Sequence, residues 1–211
     1  MLQSSVVLVA RNTGGVGADT AAEYLTFTLQ ALNVHVRLIE VGRRSGPSSV
    51  ARSLTAIRPD RYEVIGKVSE AVMSDDGGAT IVICSASDAV LVMKWFEQDI
   101  VPICRAIYFI LWLSDPNDPA VEVPERYRRA GGAAVLIEGR REGHLAYQDY
   151  GAAAPDSRML VLSELPAELQ EKFYRNGQTL THALASSSFT TKIAMRGPLE
   201  RFIRAVEARF V

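Results

Sequence analysis

The residues of this chain whose types and spacing could do chemistry lie in a glycine-rich segment directly after an apolar run. Residues 6–10 read Val-Val-Leu-Val-Ala, and residues 13–20 read Thr-Gly-Gly-Val-Gly-Ala-Asp-Thr. A strand that passes through a glycine turn into a helix is a common place for a phosphate group, because the first turn of the helix has free N–H donors and a partial positive charge. The segment therefore predicts a phosphate-binding loop, but Ala18 stands where a lysine would reach the phosphates.

Apolar runs alternate with helix-like segments along the chain, and these elements must position the loop. Runs rich in Val, Ile and Leu predict strands covered on both faces at residues 5–10, 34–40, 80–84, 106–113, 133–138 and 159–162. Apolar spacing and terminal residues predict helices at 19–32, 88–98 and 198–210, with Pro198 in the first turn of the last. The alternation is typical of one three-layer α/β domain over residues 1–211, with a mainly parallel sheet flanked by helices.

Composition narrows the class of protein. The chain has 211 residues, 48% hydrophobic and 22% charged, with a formal net charge of −1, so no global charge favours nucleic acid or membrane. Cys84 and Cys104 lie in apolar runs without metal-ligand spacing, which predicts reduced core thiols, no metal site and a cytoplasmic location. No apolar run approaches the ~18 residues of a membrane-spanning helix. Residues 42–49 and 114–124 are predicted loops, and 139–158 is a weakly patterned excursion.

The fold class by itself predicts where a ligand would bind. In an open parallel sheet, ligands bind at the carboxyl ends of the strands. The glycine segment, Glu40, Cys84 and Ser114 each follow or end a predicted strand. We therefore expect these residues at one edge of the sheet.

The glycine segment resembles the deviant Walker A loop of the ParA/MinD family of partition and positioning ATPases, whose pattern is Lys-Gly-Gly-x-Gly-Lys-Thr-Thr. In this alignment Thr13 takes the place of the signature lysine, Ala18 that of the phosphate lysine, and Asp19 that of the magnesium-binding Thr or Ser. The resemblance implies a P-loop NTPase-like fold. It also implies a nucleotide-binding set of Arg11, Thr13, Gly14, Gly15, Val16, Gly17, Ala18, Asp19, Thr20 and Arg43.

Two further landmarks of the family have counterparts in this chain. Glu40, within Leu38-Ile39-Glu40, stands where the family has an acidic residue ending the second strand, and it is the candidate catalytic carboxylate. Cys84 stands where an Asp would hold magnesium through water. Residues 160–180 resemble the segment on which the nucleotide base rests. Within the family, the chain resembles the small ParA-like proteins of plasmid stability and conjugative-transfer operons.

The departures from the family pattern predict weak or absent nucleotide hydrolysis. A charged hydrogen bond contributes roughly 1.5–3 kcal/mol, and a cation that stabilises a phosphoryl-transfer transition state can contribute ~10³–10⁵ in rate. Both lysines are missing, and Asp19 adds negative charge beside the expected phosphates. ATP and magnesium, the cofactors that the resemblance implies, are therefore expected to be held poorly, and the chain is interpreted as a pseudo-ATPase.

The resemblance implies a role through association rather than turnover. Family members dimerise across the nucleotide, which predicts a homodimer, or a heterodimer with a related ATPase, with Arg11, Thr13, Asp19 and Glu40 at or near the interface. The expected partner is a protein of partition, positioning or DNA-transfer machinery, and direct contact with nucleic acid is not expected.

Three alternatives stay open at the level of sequence. Arg11, Arg43 and Arg44 could replace the lysines in an active ATPase. The glycines, with Glu40 as a ribose-binding acid, could belong to a Rossmann-type NAD(P)-binding oxidoreductase. Residues 197–211 could form an amphipathic helix on an anionic membrane, although docking of its apolar stripe on the sheet is favoured.

Overall fold

The computed structural model describes residues 5–11, 18–41, 56–57, 66, 70, 78–84, 92, 94–95, 98–99, 107–113, 133–140, 158–163 and 165–210. Its strands are β1 (Ser5–Arg11), β2 (Val36–Val41), β3 (Ala56–Ile57), β4 (Ala79–Cys84), β5 (Ile107–Leu113), β6 (Ala133–Arg140) and β7 (Arg158–Ser163). They form one sheet in the order β3-β2-β4-β1-β5-β6-β7, and every described pairing is parallel. The predicted α/β fold with a mainly parallel sheet is confirmed.

The helices described from end to end are α1 (Ala18–Ala31), α2 (Ala167–Gln170), α3 (Leu180–Ala185) and α4 (Phe189–Phe210). A π-helical turn, Glu171–Arg175, continues α2. Residues 165–188, which contain α2, the π turn and α3, are called the C-terminal segment below. Asn33, at φ 59°, turns the chain from α1 into β2, and asparagine tolerates this left-handed conformation better than most residues.

The centre of the sheet is fully covered, which explains why its strands lack polar alternation. Val6 to Val9 of β1 are 0% exposed, and β4 is buried along its whole length. Val7 and Val9 of β1 lie in one core cluster with residues of β4, α1, the C-terminal segment and α4. Because successive strand residues point to opposite faces, Val6 and Leu8 are buried on the other face. The two buried faces fit the three-layer architecture.

The predicted element ends need several corrections. The strands lie within two residues of their predicted bounds, but β3 was missed because two residues carry no periodic signal. The predicted excursion at 139–158 was too long at both ends, because β6 extends to Arg140 and β7 begins at Arg158. The predicted loops at 42–49 and 114–124 lie outside the described residues. Of the predicted helix 88–98, Val92, Lys94 and Trp95 are helical and Gln98 is in a π-type turn.

The prediction that Pro198 begins the last helix was wrong. Helix α4 begins at Phe189 and Pro198 lies inside it. Proline removes one helical hydrogen bond, but the apolar stripe of α4 continues across that position. Met195 lies before Pro198, Phe202 and Val206 lie after it, and all three side chains are buried. Burial on both sides of the proline holds the helix together through the missing bond.

Strand order distinguishes the fold from a dinucleotide-binding domain. The usual dinucleotide-binding order places β1 beside β2. Here β4 lies between them, pairing with β2 on one side and with β1 on the other. The observed order argues against the Rossmann-type oxidoreductase alternative.

Candidate functional site

The candidate site lies at the carboxyl end of β1, the strand that pairs with β4 on one side and β5 on the other. Arg11 is the last residue of β1 and Ala18 is the first of α1, so the strand and the helix on either side of the predicted loop are both present. In the outward connection from β1 through α1, the chain passes over β4 to reach β2. After β4 the chain passes over β1 in the opposite direction to reach β5. This reversal is a topological switch point, where open α/β sheets bind ligands.

Part of the predicted nucleotide-binding set falls beyond what the structure describes. The residues of that set that lie outside the described part are Thr13, Gly14, Gly15, Val16, Gly17 and Arg43. Arg11, Ala18 and Glu40 are placed by their backbone, while Asp19 and Thr20 are described in full. The structure therefore gives the two ends of the loop and the neighbouring strands.

Strand pairing places Glu40 at the carboxyl edge of the sheet. It pairs with Ile83 of β4, and Ile83 in turn pairs with Val9 of β1, so the three residues form one row across the sheet. Two strand spacings of ~4.8 Å put the backbone of Glu40 about 10 Å from that of Val9. The sheet thus brings Glu40 to the same edge as the carboxyl end of β1, with β4 between the two strands.

Cys84 ends β4 with its thiol turned towards the neighbouring strand. The residue is 1% exposed, and Sγ donates a hydrogen bond to the carbonyl oxygen of Val9 at 3.5 Å. This position is where the ParA/MinD pattern would have a magnesium-holding Asp. Magnesium prefers carboxylate and other oxygen ligands, so a buried thiol bonded to backbone is a poor substitute. The prediction of a buried, reduced core thiol is confirmed for Cys84, and Cys104 lies outside the described residues.

The first turn of α1 is tied to the C-terminal segment by a hydrogen bond between two hydroxyls. Thr20 Oγ1 and the Tyr174 hydroxyl lie 2.5 Å apart. Thr20 is 9% exposed, whereas Tyr174 is 50% exposed. The ring of Tyr174 also makes an edge contact with Phe173, with centroids 4.8 Å apart. A residue beside the glycine loop is thereby joined to a segment 154 residues later in the chain.

Glu23 provides a second tie, one turn further along α1. Its side chain is 4% exposed, and Oε2 accepts a hydrogen bond of 2.9 Å from the backbone N–H of Leu180, the first residue of α3. Burial raises the pKa of Glu23 above its ordinary value. The Leu180 N–H opposes this shift and the negative charge of Asp19 adds to it. Burial is the largest of these effects, so the carboxyl binds its proton more tightly in the folded protein than in the unfolded chain.

Tyr24 joins α1 to β7 and α4. Its hydroxyl donates to the carbonyl oxygen of Ser163 at 3.1 Å, and its ring meets Phe202 edge to face with centroids 5.4 Å apart. Both aromatic side chains are almost fully buried. Burial raises the pKa of the Tyr24 phenol above its ordinary range, and Tyr174 adds to the shift. Tyr24 therefore stays a neutral hydrogen-bond donor that fixes the end of the last strand.

Glu168 organises the junction between the C-terminal segment and α4. Its carboxylate accepts hydrogen bonds from the Ser188 N–H at 3.0 Å, the Ser188 hydroxyl at 2.8 Å and the Thr191 hydroxyl at 2.6 Å. Lys172 Nζ lies 2.9 Å from the same carboxylate and donates to it. Hydrogen bonds from Thr191, Lys172 and Ser188 lower the pKa of Glu168 to about 2. A negative charge at the start of α4 also suits the helix dipole.

Sequence reasoning missed the polar side chains that join these elements. Glu23 and Tyr24 lie within the apolar pattern of α1, between Ala22 and Leu25. A glutamate flanked by buried positions in an amphipathic helix signals a buried polar contact, but the pattern names no partner. Leu180 and Tyr174 could not be paired with α1 by spacing, because more than 150 residues separate them.

The described residues contain neither a cluster suited to a metal ion nor a membrane-spanning helix. No group of three or more His, Cys, Asp or Glu side chains there is arranged to hold a metal ion. Within the same part of the chain, no helix combines the length and the apolar character needed to span a bilayer. The described apolar side chains of α4 at Leu199, Phe202 and Val206 are buried in the core.

Comparison with known proteins places the fold. No protein-family model and no curated protein matches the chain. A solved protein assigned to plasmid partition, from Borrelia burgdorferi B31 and bound to AMPPNP, is similar with a TM-score of 0.57 and 14% identity over 97% of each chain. A nucleotide-binding protein from Archaeoglobus fulgidus in complex with ADP, with cobalt found, has a TM-score of 0.50 and 12% identity over 84% of this chain and 88% of its own. At such low identity the likeness is one of fold, and the chain has a P-loop NTPase-like α/β fold.

Proposed function

We propose that this protein is a degenerate ParA-like member of partition, positioning or DNA-transfer machinery, which binds nucleotide weakly and hydrolyses it slowly or not at all. It acts by dimerisation and by binding a partner protein. The observation that carries the proposal is the buried thiol of Cys84, which donates to Val9 at the strand end where a magnesium-holding carboxylate would be needed. Without that carboxylate the metal loses an oxygen anchor beside the phosphates.

Charge at the first turn of α1 supports the same proposal. Ala18 offers no cation and Asp19 is a partly exposed acid in the first turn. The helix N-terminus still favours an anion, but Asp19 opposes a polyphosphate placed there. The first turn of α1 therefore retains its backbone donors, while a major source of rate enhancement, a cation at the transferred phosphoryl group, is missing from the Ala18 position.

The solved neighbours support nucleotide as the ligand class, since one was bound to AMPPNP and the other to ADP. The neighbour bound to AMPPNP, assigned to plasmid partition, supports that setting for this chain. We place the dimer surface at the carboxyl edge of the sheet, around Arg11, Thr13, Asp19 and Glu40. A protein that keeps this surface but does not hydrolyse nucleotide would form a dimer whose lifetime is not limited by hydrolysis.

Calorimetry with ATP and magnesium, together with a phosphate-release assay, tests the proposal. We expect weak ATP binding and turnover indistinguishable from background. The double variant Ala18→Lys with Asp19→Thr restores a cation and removes a negative charge, so its ATP affinity should rise roughly 10- to 100-fold, the value of a charged hydrogen bond. Glu200→Lys, an exposed change on α4 with the same net charge difference, is the matched control and should leave affinity unchanged.

Two results would contradict the proposal. Rapid magnesium-dependent turnover by the unmodified protein would mean that arginines replace the lysines. Equal ATP affinity in the double variant and the unmodified protein would mean that the loop does not bind phosphate.

Sedimentation of the unmodified protein and of Asp19→Arg tests the interface, since a large charged side chain there should weaken the dimer.

A further inference from the structure

We propose that Tyr174 is a positioning residue for the start of α1, and that its hydrogen bond to Thr20 couples occupancy of the glycine loop to the docking of the C-terminal segment. The inference rests on the proposed phosphate-binding role of the loop and adds a means of regulating it. A ligand at the loop and the order of residues 165–188 would then influence each other.

The geometry puts the contact next to the expected ligand. Thr20 lies in the first turn of α1, where backbone N–H groups have no partner within the helix and are available to an anion. Its hydroxyl is held by Tyr174 across 154 residues of sequence. On the other side, Tyr174 is braced by the edge of Phe173, which is 3% exposed and part of the core. Movement of the first turn must therefore shift or break this hydrogen bond.

A second tie joins the same side of α1 to the C-terminal segment. Glu23 lies one turn after Thr20 on the same side of α1, because residues three apart are neighbours on a helix surface. Its carboxylate holds the N–H of Leu180 at the start of α3. One tie is made within the π turn, by Tyr174, and the other at the first residue of α3, Leu180. By thermodynamic reciprocity, a ligand that orders the first turn favours docking of the C-terminal segment, and a partner that displaces this segment changes the affinity of the loop.

Amide hydrogen exchange without ligand tests the coupling itself. The variants Thr20→Val and Tyr174→Phe each remove one hydroxyl of the pair. The amides of Asn176 and Gln178, which bond to Glu171 and Lys172 in the π turn, should exchange roughly three- to tenfold faster in both variants, as expected for one lost hydrogen bond.

Two matched controls distinguish the coupling from a general loss of stability. Thr26→Val removes a hydroxyl whose bond to the Ala22 carbonyl is local to α1. Tyr24→Phe removes a hydroxyl whose partner is Ser163. Both should leave exchange at residues 176 and 178 unchanged. If Thr20→Val and Tyr174→Phe resemble these controls there, the coupling is refuted.

ATP titration with magnesium tests the regulatory part. Thr20→Val and Tyr174→Phe should weaken ATP binding by similar factors of roughly three to ten, since a pre-ordered first turn binds better. The double variant should be no weaker than either single variant, because the two hydroxyls share one bond. Altered exchange with unchanged ATP affinity would overturn the link to the loop. If the unmodified protein binds no ATP, the proposed nucleotide role fails, while the exchange experiment still supports or overturns the coupling.

Discussion

Replacing Glu23 should change how the stability of this protein depends on pH. Glu23 is 4% exposed and its pKa is raised above the ordinary 4.5, mainly by burial. The folded state therefore holds this proton more tightly than the unfolded chain does. The stabilisation from protonation is fully present below about pH 4.5 and is lost as the pH rises through the raised pKa.

The variant Glu23→Gln keeps an oxygen that can accept the Leu180 N–H but has no proton to lose. As the pH rises above 4.5, the free energy of unfolding of this variant should increase relative to that of the unmodified protein. The difference should level off above the pKa that Glu23 has in the folded state. Each pKa unit of the shift corresponds to about 1.4 kcal/mol. Glu23→Ala instead leaves the buried Leu180 N–H without an acceptor and should be about 1–3 kcal/mol less stable than Glu23→Gln at every pH.

Urea unfolding from pH 4 to pH 8, followed by circular dichroism, measures these differences. Glu207→Gln is the same substitution at an exposed position of α4 and controls for the change in net charge. The argument from burial would be refuted if the difference in free energy of unfolding between Glu23→Gln and the unmodified protein did not change with pH. It would also be refuted if Glu23→Gln became less stable than the unmodified protein as the pH rises. Equal stability of Glu23→Ala and Glu23→Gln would refute the role assigned to the hydrogen bond.

Three further substitutions test the packing around the site. Glu168→Gln should destabilise the protein above pH 4.5 and lose that effect as the pH falls towards 2, because the pKa of Glu168 is lowered to about 2. Thermal unfolding at pH 7 and at pH 3 measures the loss of stability under both conditions. An equal loss at the two pH values would contradict this role of Glu168. Phe202→Ala should cost about 3–5 kcal/mol in chemical unfolding, since a side chain 2% exposed is removed from an edge contact with Tyr24; a cost below about 1 kcal/mol would show that the site is not close-packed. Pro198→Ala should stabilise the protein by up to about 3 kcal/mol by restoring a hydrogen bond inside α4, and a lower melting temperature would mean that the proline shapes the helix for its packing.

Much of the fold could be predicted because its signals are local. Buried parallel strands need continuous apolar runs, and those around β1 and β4 stand out as such. The glycines before Ala18 predicted a strand–loop–helix junction, and the structure has a strand ending at Arg11 and a helix starting at Ala18. The start of α4 was missed because proline is a strong local signal for a first turn, whereas burial of Met195 and the hydrogen bonds that Glu168 accepts from Ser188 and Thr191 are tertiary effects.

The sequence by itself determined the alternation of strands and helices, the strand and the helix that flank the glycine segment, and the absence of lysine at Ala18, since each depends on residues close together in the chain. Tertiary structure decided the strand order, with β4 between β1 and β2, because local pattern does not specify which strands pair. It also decided that the Cys84 thiol turns to Val9, and that Thr20 and Glu23 meet Tyr174 and Leu180. Those contacts join residues far apart in sequence, and buried polar groups acquire partners only when the packed elements bring them together.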